Sequence, residues 1–104
     1  MVIKFNNRYL EALAKGEEKG KQRYSAEVVT MFKKRLKMIG LAKDSNDLRA
    51  FKSLHFELLQ GEKKGRHYSI RINDKYRLEF SIEKNKGIII EEIVIIEHLS
   101  NHYK

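Results

Sequence analysis

Arg71 and Arg77 flank the stretch Ile72-Asn73-Asp74-Lys75-Tyr76, and a guanidinium is the side chain best shaped to grip a phosphodiester through paired hydrogen bonds. Lys63, Lys64, Arg66 and His67 stand just upstream, and His98, His102 and Tyr103 stand close to the end of the chain. These residue types could cut RNA without a metal. Such cleavage needs a group to take the 2′-hydroxyl proton, a cation for the charged phosphorane and a group to protonate the leaving oxygen. Four histidines, His55, His67, His98 and His102, show no spacing with a full ligand set; His98 and His102 would share a helix face, but no Cys or Asp lies near to complete a site. No metal or other cofactor is expected. Read by type alone, the arginines also suit a solvated surface cluster, and His98, His102 and Tyr103 suit a docked tail anchored by Tyr103.

The arginines can act together only if a hairpin brings them together, and its register can be read from the sequence, because a slip of one residue exchanges the two faces of a strand. A two-residue Asp74-Lys75 turn would pair Ile72 with Arg77 and mix apolar and charged residues on one face. A three-residue loop, Asn73-Asp74-Lys75, pairs Ile72 with Tyr76, Ile70 with Leu78 and Tyr68 with Phe80, and sets Arg71 opposite Arg77. Like charges facing one another need a counter-charge, either Glu79 on the same face or a bound anion.

Earlier in the chain, residues 2–5 read as a strand, and Asn6-Asn7 as the cap of a helix carrying Tyr9, Leu10 and Leu13 and ended by Gly16. After a polar loop, Ser25 caps a helix whose apolar stripe is Val28, Val29, Phe32, Leu36 and Ile39; its outer side carries Lys33, Lys34 and Lys37. Asp44-Ser45-Asn46 offers caps for a short helix packing Leu48 and Phe51. From Leu54 onward the period falls to two. Strands are expected over Leu54–Leu59, through Tyr68, Ile70 and Ile72, and through Tyr76, Leu78, Phe80 and Ile82. Asn85-Lys86-Gly87 forms the last turn, and Gly87–Glu97, apolar on both sides, suits a central or doubly covered strand. A polar tail follows from His98.

The whole is 104 residues, with 22 Lys+Arg against 14 Asp+Glu, a formal charge of +8, and no Cys or Pro. One domain over 1–104 is expected, because a chain of this size has no material for a second core. The absence of cysteine removes disulfide frameworks and thiol nucleophiles and fits a reduced cytoplasm. No signal peptide or membrane span is expected, since Glu91 and Glu92 interrupt the apolar stretch Ile88–Ile96. The positive charge is uneven. Gly61–Leu78 carries six basic and two acidic residues, whereas Glu79–Glu97 carries five acidic and two basic. A polyanion partner therefore belongs on the turn and hairpin, with RNA as one such partner.

Within that region, Leu59-Gln60-Gly61-Glu62-Lys63-Lys64-Gly65-Arg66-His67-Tyr68-Ser69-Ile70-Arg71-Ile72-Asn73-Asp74-Lys75-Tyr76-Arg77-Leu78-Glu79-Phe80 strongly resembles the core signature of the RelE/ParE toxin superfamily, and most of all its HigB-like plasmid-maintenance killer branch. Two helices ahead of it and the tail Leu99-Ser100-Asn101-His102-Tyr103 extend the match over nearly the whole chain. The resemblance implies an α+β fold: an N-terminal strand and two to three helices packed on an antiparallel sheet of three to four C-terminal strands. It also implies a type II toxin that cleaves messenger RNA on the ribosome and is neutralised by a cognate helix-turn-helix antitoxin, with which it can form a hetero-oligomer.

By motif position, Arg71 and Arg77 match the arginines that act on the scissile phosphate, and His102 and Tyr103 the C-terminal acid–base region. Lys63 or Lys64 matches the basic turn, which with Arg66 and His67 would bind substrate; Gln60 stands where many relatives carry lysine. Lys33, Lys34 and Lys37 would then dock on the ribosome. The same fold hosts ParE-type gyrase inhibitors, and a non-enzymatic RNA-binding module is a third alternative.

Overall fold

In the computed structural model, which describes residues 1–59 and 67–101, each helix begins at a side chain that answers an orphan backbone N–H. Asn7 Oδ1 accepts from Leu10 N at 3.0 Å to open α1, Arg8–Lys15, and Gly16 closes it at φ +71°, a left-handed conformation that suits glycine. Ser25 Oγ accepts from Val28 N at 3.2 Å to open α2, Ala26–Leu41, whose Val28, Phe32, Leu36 and Ile39 are buried. Asp44 caps α3, Ser45–Ala50, through the N–H groups of Asn46 and Asp47.

Leu48 is fully buried as expected, but Phe51 is exposed. Phe51 ends α3 in an extended conformation, which turns its ring away from the Leu48 face. The strand expected over Leu54–Leu59 is also shorter. Lys52–Leu54 forms a single 3-10 turn that drives Leu54 into the core, and His55 follows at φ 44°, so extended backbone is restored only at β2, Glu57–Leu58.

The other strands are β1, Val2–Phe5, β3, His67–Arg71, β4, Arg77–Lys86, and β5, Ile90–Ser100, in the order β1-β5-β4-β3-β2. The four C-terminal strands pair antiparallel as expected, and β1 joins them parallel to β5, which makes a mixed sheet of five strands. This explains the two-sided apolar character of β5. It lies between β1 and β4, with Val94 and Ile96 buried under the helices and Ile93 and Ile95 half-buried on the opposite side. Its start differs from expectation: β4 runs on to Lys86, the turn is moved to 87–89, and Ile88, Ile89 and Ile90 are exposed rather than covered.

The core gathers Leu10, Leu13, Phe32, Ile39, Leu48 and Leu54 against Tyr68, Ile70, Leu78, Phe80, Val94 and Ile96. All three helices thereby cover one face of the sheet. Near its end β5 takes in an extra residue: Phe80 pairs with Ile96 but Glu79 pairs with His98, leaving Glu97 in a bulge. Unbroken register would set Glu79 against Glu97, and the bulge replaces that repulsion with a Glu–His pair. Glu97 is then held by Asn6 Nδ2 at 2.9 Å and Ser81 Oγ at 3.1 Å. His98 to Ser100, expected in an irregular tail, therefore belong to the strand.

Candidate active site

The β3–β4 pairing is that of the three-residue loop: Tyr68 faces Phe80, Ile70 faces Leu78 and Arg71 faces Arg77, while Ile72 N donates to Tyr76 O at 3.0 Å. Asn73 builds the loop. Its Oδ1 accepts from the N–H groups of both Lys75 and Tyr76, at 2.9 and 2.8 Å, fixing the turn from one side chain. With the apolar members of each strand turned to the helices, Ser69, Arg71, Arg77 and Glu79 fall on the opposite face, together with Glu57 across from Ser69 on β2.

The two arginines stand in different surroundings. Arg77 is only 8% exposed; its Nε donates to Ser69 Oγ at 2.8 Å, its Nη2 donates to Ser69 O at 3.3 Å and to the His55 carbonyl, and Glu57 Oε2 lies 3.8 Å away. It therefore both positions the β2–β3 junction and presents a guanidinium beside a carboxylate. Arg71 is half-exposed and pairs with Asp74, whose own side chain is 92% exposed. An ion pair so open to water contributes little and can be exchanged for another anion. Asp74 beside Arg71 and Glu57 beside Arg77 are counter-charges that the sequence did not point to.

Arg35, which the sequence pattern did not single out, reaches from α2 to donate through Nε to the Arg71 carbonyl at 3.1 Å. Burial, and then the neighbouring Arg71 charge, hold its pKa below the ordinary arginine value. Glu57 was equally hidden, because its place opposite Ser69 depends on the irregular 3-10 connection before it. A signal for His98 did exist: the buried positions Val94, Ile96 and Leu99 break period two by one residue, the mark of a bulge. His98 faces Glu79, and both line a cleft of about 290 Å³ with Ser100 and Asn101; Ser100 is the β5 partner of Arg77.

His67 begins β3, half-buried and opposite Ser81 on β4, two cross-strand steps from the Arg71–Arg77 pair. His55 meets the site through its backbone carbonyl, its side chain being exposed. Lys33, Lys34 and Lys37 are exposed on α2, on the helix layer, and are not gathered into the arginine face. Lys63, Lys64, Arg66, His102 and Tyr103 lie outside the described residues. Tyr24 touches the end of β5, its hydroxyl donating to Leu99 O at 3.3 Å while its ring packs between Tyr9 and Tyr76. No helix among the described residues is long and apolar enough to cross a membrane.

Compared with curated proteins, the chain finds no match. A family model described as the RelE-like toxin of the type II toxin-antitoxin system HigB matches residues 3–94, a span that takes in the three α-helices, all but the first residue of β1, β2 to β4 and both arginines. With helices layered on one face of the sheet and a cross-strand arginine pair on the other, the chain belongs to the HigB-like family of type II toxins, whose members act alongside a cognate antitoxin.

Proposed function

We propose that this toxin is a ribosome-dependent endoribonuclease that stops translation by cutting messenger RNA in the cytoplasm. The observation that carries it is the direct cross-strand pairing of Arg71 with Arg77, on the sheet face that no helix among the described residues covers. Arg71, once it releases Asp74, grips a phosphate oxygen, and Arg77 adds fixed positive charge where the phosphorane forms.

Glu57, 3.8 Å from Arg77, is the carboxylate that takes the 2′-hydroxyl proton. The 2′-oxygen bonds to phosphorus and the bond from phosphorus to the 5′-oxygen breaks, leaving a cyclic phosphate and a 5′-hydroxyl. The departing oxygen receives its proton from the C-terminal acid, His102 or Tyr103, two and three residues along the chain from Ser100, the β5 partner of Arg77. Lys63, Lys64, Arg66 and His67 hold the flanking messenger, and Lys33, Lys34 and Lys37 contact ribosomal RNA as a separate docking surface.

Brief induction of the toxin followed by mapping of transcript ends tests this. Wild type should generate new codon-associated messenger ends. Arg71→Ala and Arg77→Lys should reduce them by about a hundredfold or more, the size expected for loss of a transition-state contact. Undiminished cleavage in both variants would sink the proposal. The burial of Arg77 in hydrogen bonds to Ser69 and His55 favours a second reading, a non-enzymatic RNA-binding module. Intact messages with retained RNA binding would support that reading, and double-strand DNA breaks with intact messages would support gyrase inhibition.

A further inference from the structure

Arg35 sits on α2 between the buried stripe of Phe32, Leu36 and Ile39 and the exposed lysines, and it reaches the end of β3, which no strand among the described residues covers. The pairing of β2 with β3 spans Ser69 and Tyr68 only. Because the Ile72 N–H points to β4, the Arg71 carbonyl points to the outer edge, and Arg35 Nε occupies it. Arg35 Nη1 also meets Met38 Sδ at 3.2 Å, so the stem is fixed on both sides while Nη2 has no hydrogen-bond partner among the described residues.

Among the described residues no carboxylate stands within ion-pair distance of Arg35. Its near neighbour Arg71 is also cationic, and that residue's ion-pair partner is the almost fully exposed Asp74. Arg35 is tied to the backbone of Arg71, close enough for the Arg71 charge to depress its pKa, and two cations so placed with so little neutralisation favour an anion beside them. The carboxylates of the arginine face, Glu57 and Glu79, lie on the side of the sheet opposite the helices, whereas Arg35 approaches from the helix layer.

We infer that Arg35 and Arg71 form a phosphodiester clip at the β3 edge, which holds the RNA backbone next to the phosphate being cut. The clip extends the site from the arginine face, round the strand edge, towards α2, where Lys34 stands about 100° further round the helix. The identity of the bound strand rests on the ribonuclease reading, but the clip itself is a binding device and can be measured without cleavage.

The purified toxin is titrated with a short single-stranded RNA carrying 2′-O-methyl groups, which cannot be cut, across a series of salt concentrations. Loss of one phosphate contact should lower the slope of log affinity against log salt by about 0.7 for a single strand. Arg35→Gln should show that change with weaker binding at low salt, while Arg35→Lys keeps the charge and should keep the slope. Urea unfolding run alongside reports any loss of packing, and Arg35→Met, which preserves the apolar stem, serves if Arg35→Gln is unstable. An unchanged slope in the neutral variants overturns the inference. So does an Arg35→Lys loss equal to theirs, or failure of the wild type to bind this RNA. Altered slopes in a toxin that cuts no messenger would instead refute the nuclease and leave the clip standing.

Discussion

Truncating Arg77 would strip Ser69 Oγ and the His55 carbonyl of a donor in a buried setting, whereas truncating Arg71 would release only an exposed carboxylate. Arg77→Ala should therefore lower stability by about 3 kcal/mol, the sum of lost hydrogen bonds and unpaired buried polar groups. Arg71→Ala should stay within about 0.5 kcal/mol of wild type, as surface changes do. Urea midpoints of the two variants check this, and equal losses would refute the asymmetry. In the sequence the two arginines look alike. What separates them is the 3-10 turn at Lys52–Leu54, which swings the His55 carbonyl and Glu57 to one guanidinium only. Arg35 shows the same limit, because an arginine on the flank of an amphipathic helix has no periodic signature that points to a distant strand edge.

At the level of elements, the hairpin decides whether the arginines face one another, and Asn73 decides the hairpin. Its side chain accepts two backbone N–H groups, so Asn73→Ala should cost about 1–2 kcal/mol and, on the proposed ribonuclease reading, reduce cleavage beyond that loss, by loosening the Arg71–Arg77 pair. Asn73→Asp keeps the acceptor and should retain both properties. Thermal unfolding together with a cleavage assay checks the pair of variants; an Asn73→Ala protein with native stability would show that the strands alone set the register. This register was legible in the sequence, because of the two- and three-residue loops only the three-residue one puts Tyr68, Ile70 and Ile72 on the same side as Tyr76, Leu78 and Phe80. The parallel entry of β1 was not. A four-residue strand carries no mark of its direction, and its partner lies at the far end of the chain.

Across the molecule, Tyr24 ties together parts that the sequence keeps far apart: Tyr9 on α1, Tyr76 at the hairpin and the Leu99 carbonyl on β5. Burial first, and then the neighbouring tyrosines, raise its pKa above the ordinary value. A raised folded-state pKa gives stability that is complete below the unfolded value, about 10, and is lost as pH climbs through the folded one. Stability should fall on this alkaline limb, and Tyr24→Phe should flatten it while costing about 1 kcal/mol at neutral pH through the lost hydrogen bond. Unfolding midpoints from pH 8 to 11 decide the matter; an unaltered limb in the variant would assign the loss to other groups. The sequence by itself determined the helix caps, the apolar stripes, the hairpin register and the concentration of positive charge before Leu78, because these follow from nearest-neighbour geometry and periodicity. Only the tertiary structure decided that Glu57 stands by Arg77 and that Arg35 closes the β3 edge. Those contacts join residues brought together by irregular turns and side-chain packing, which no local spacing encodes.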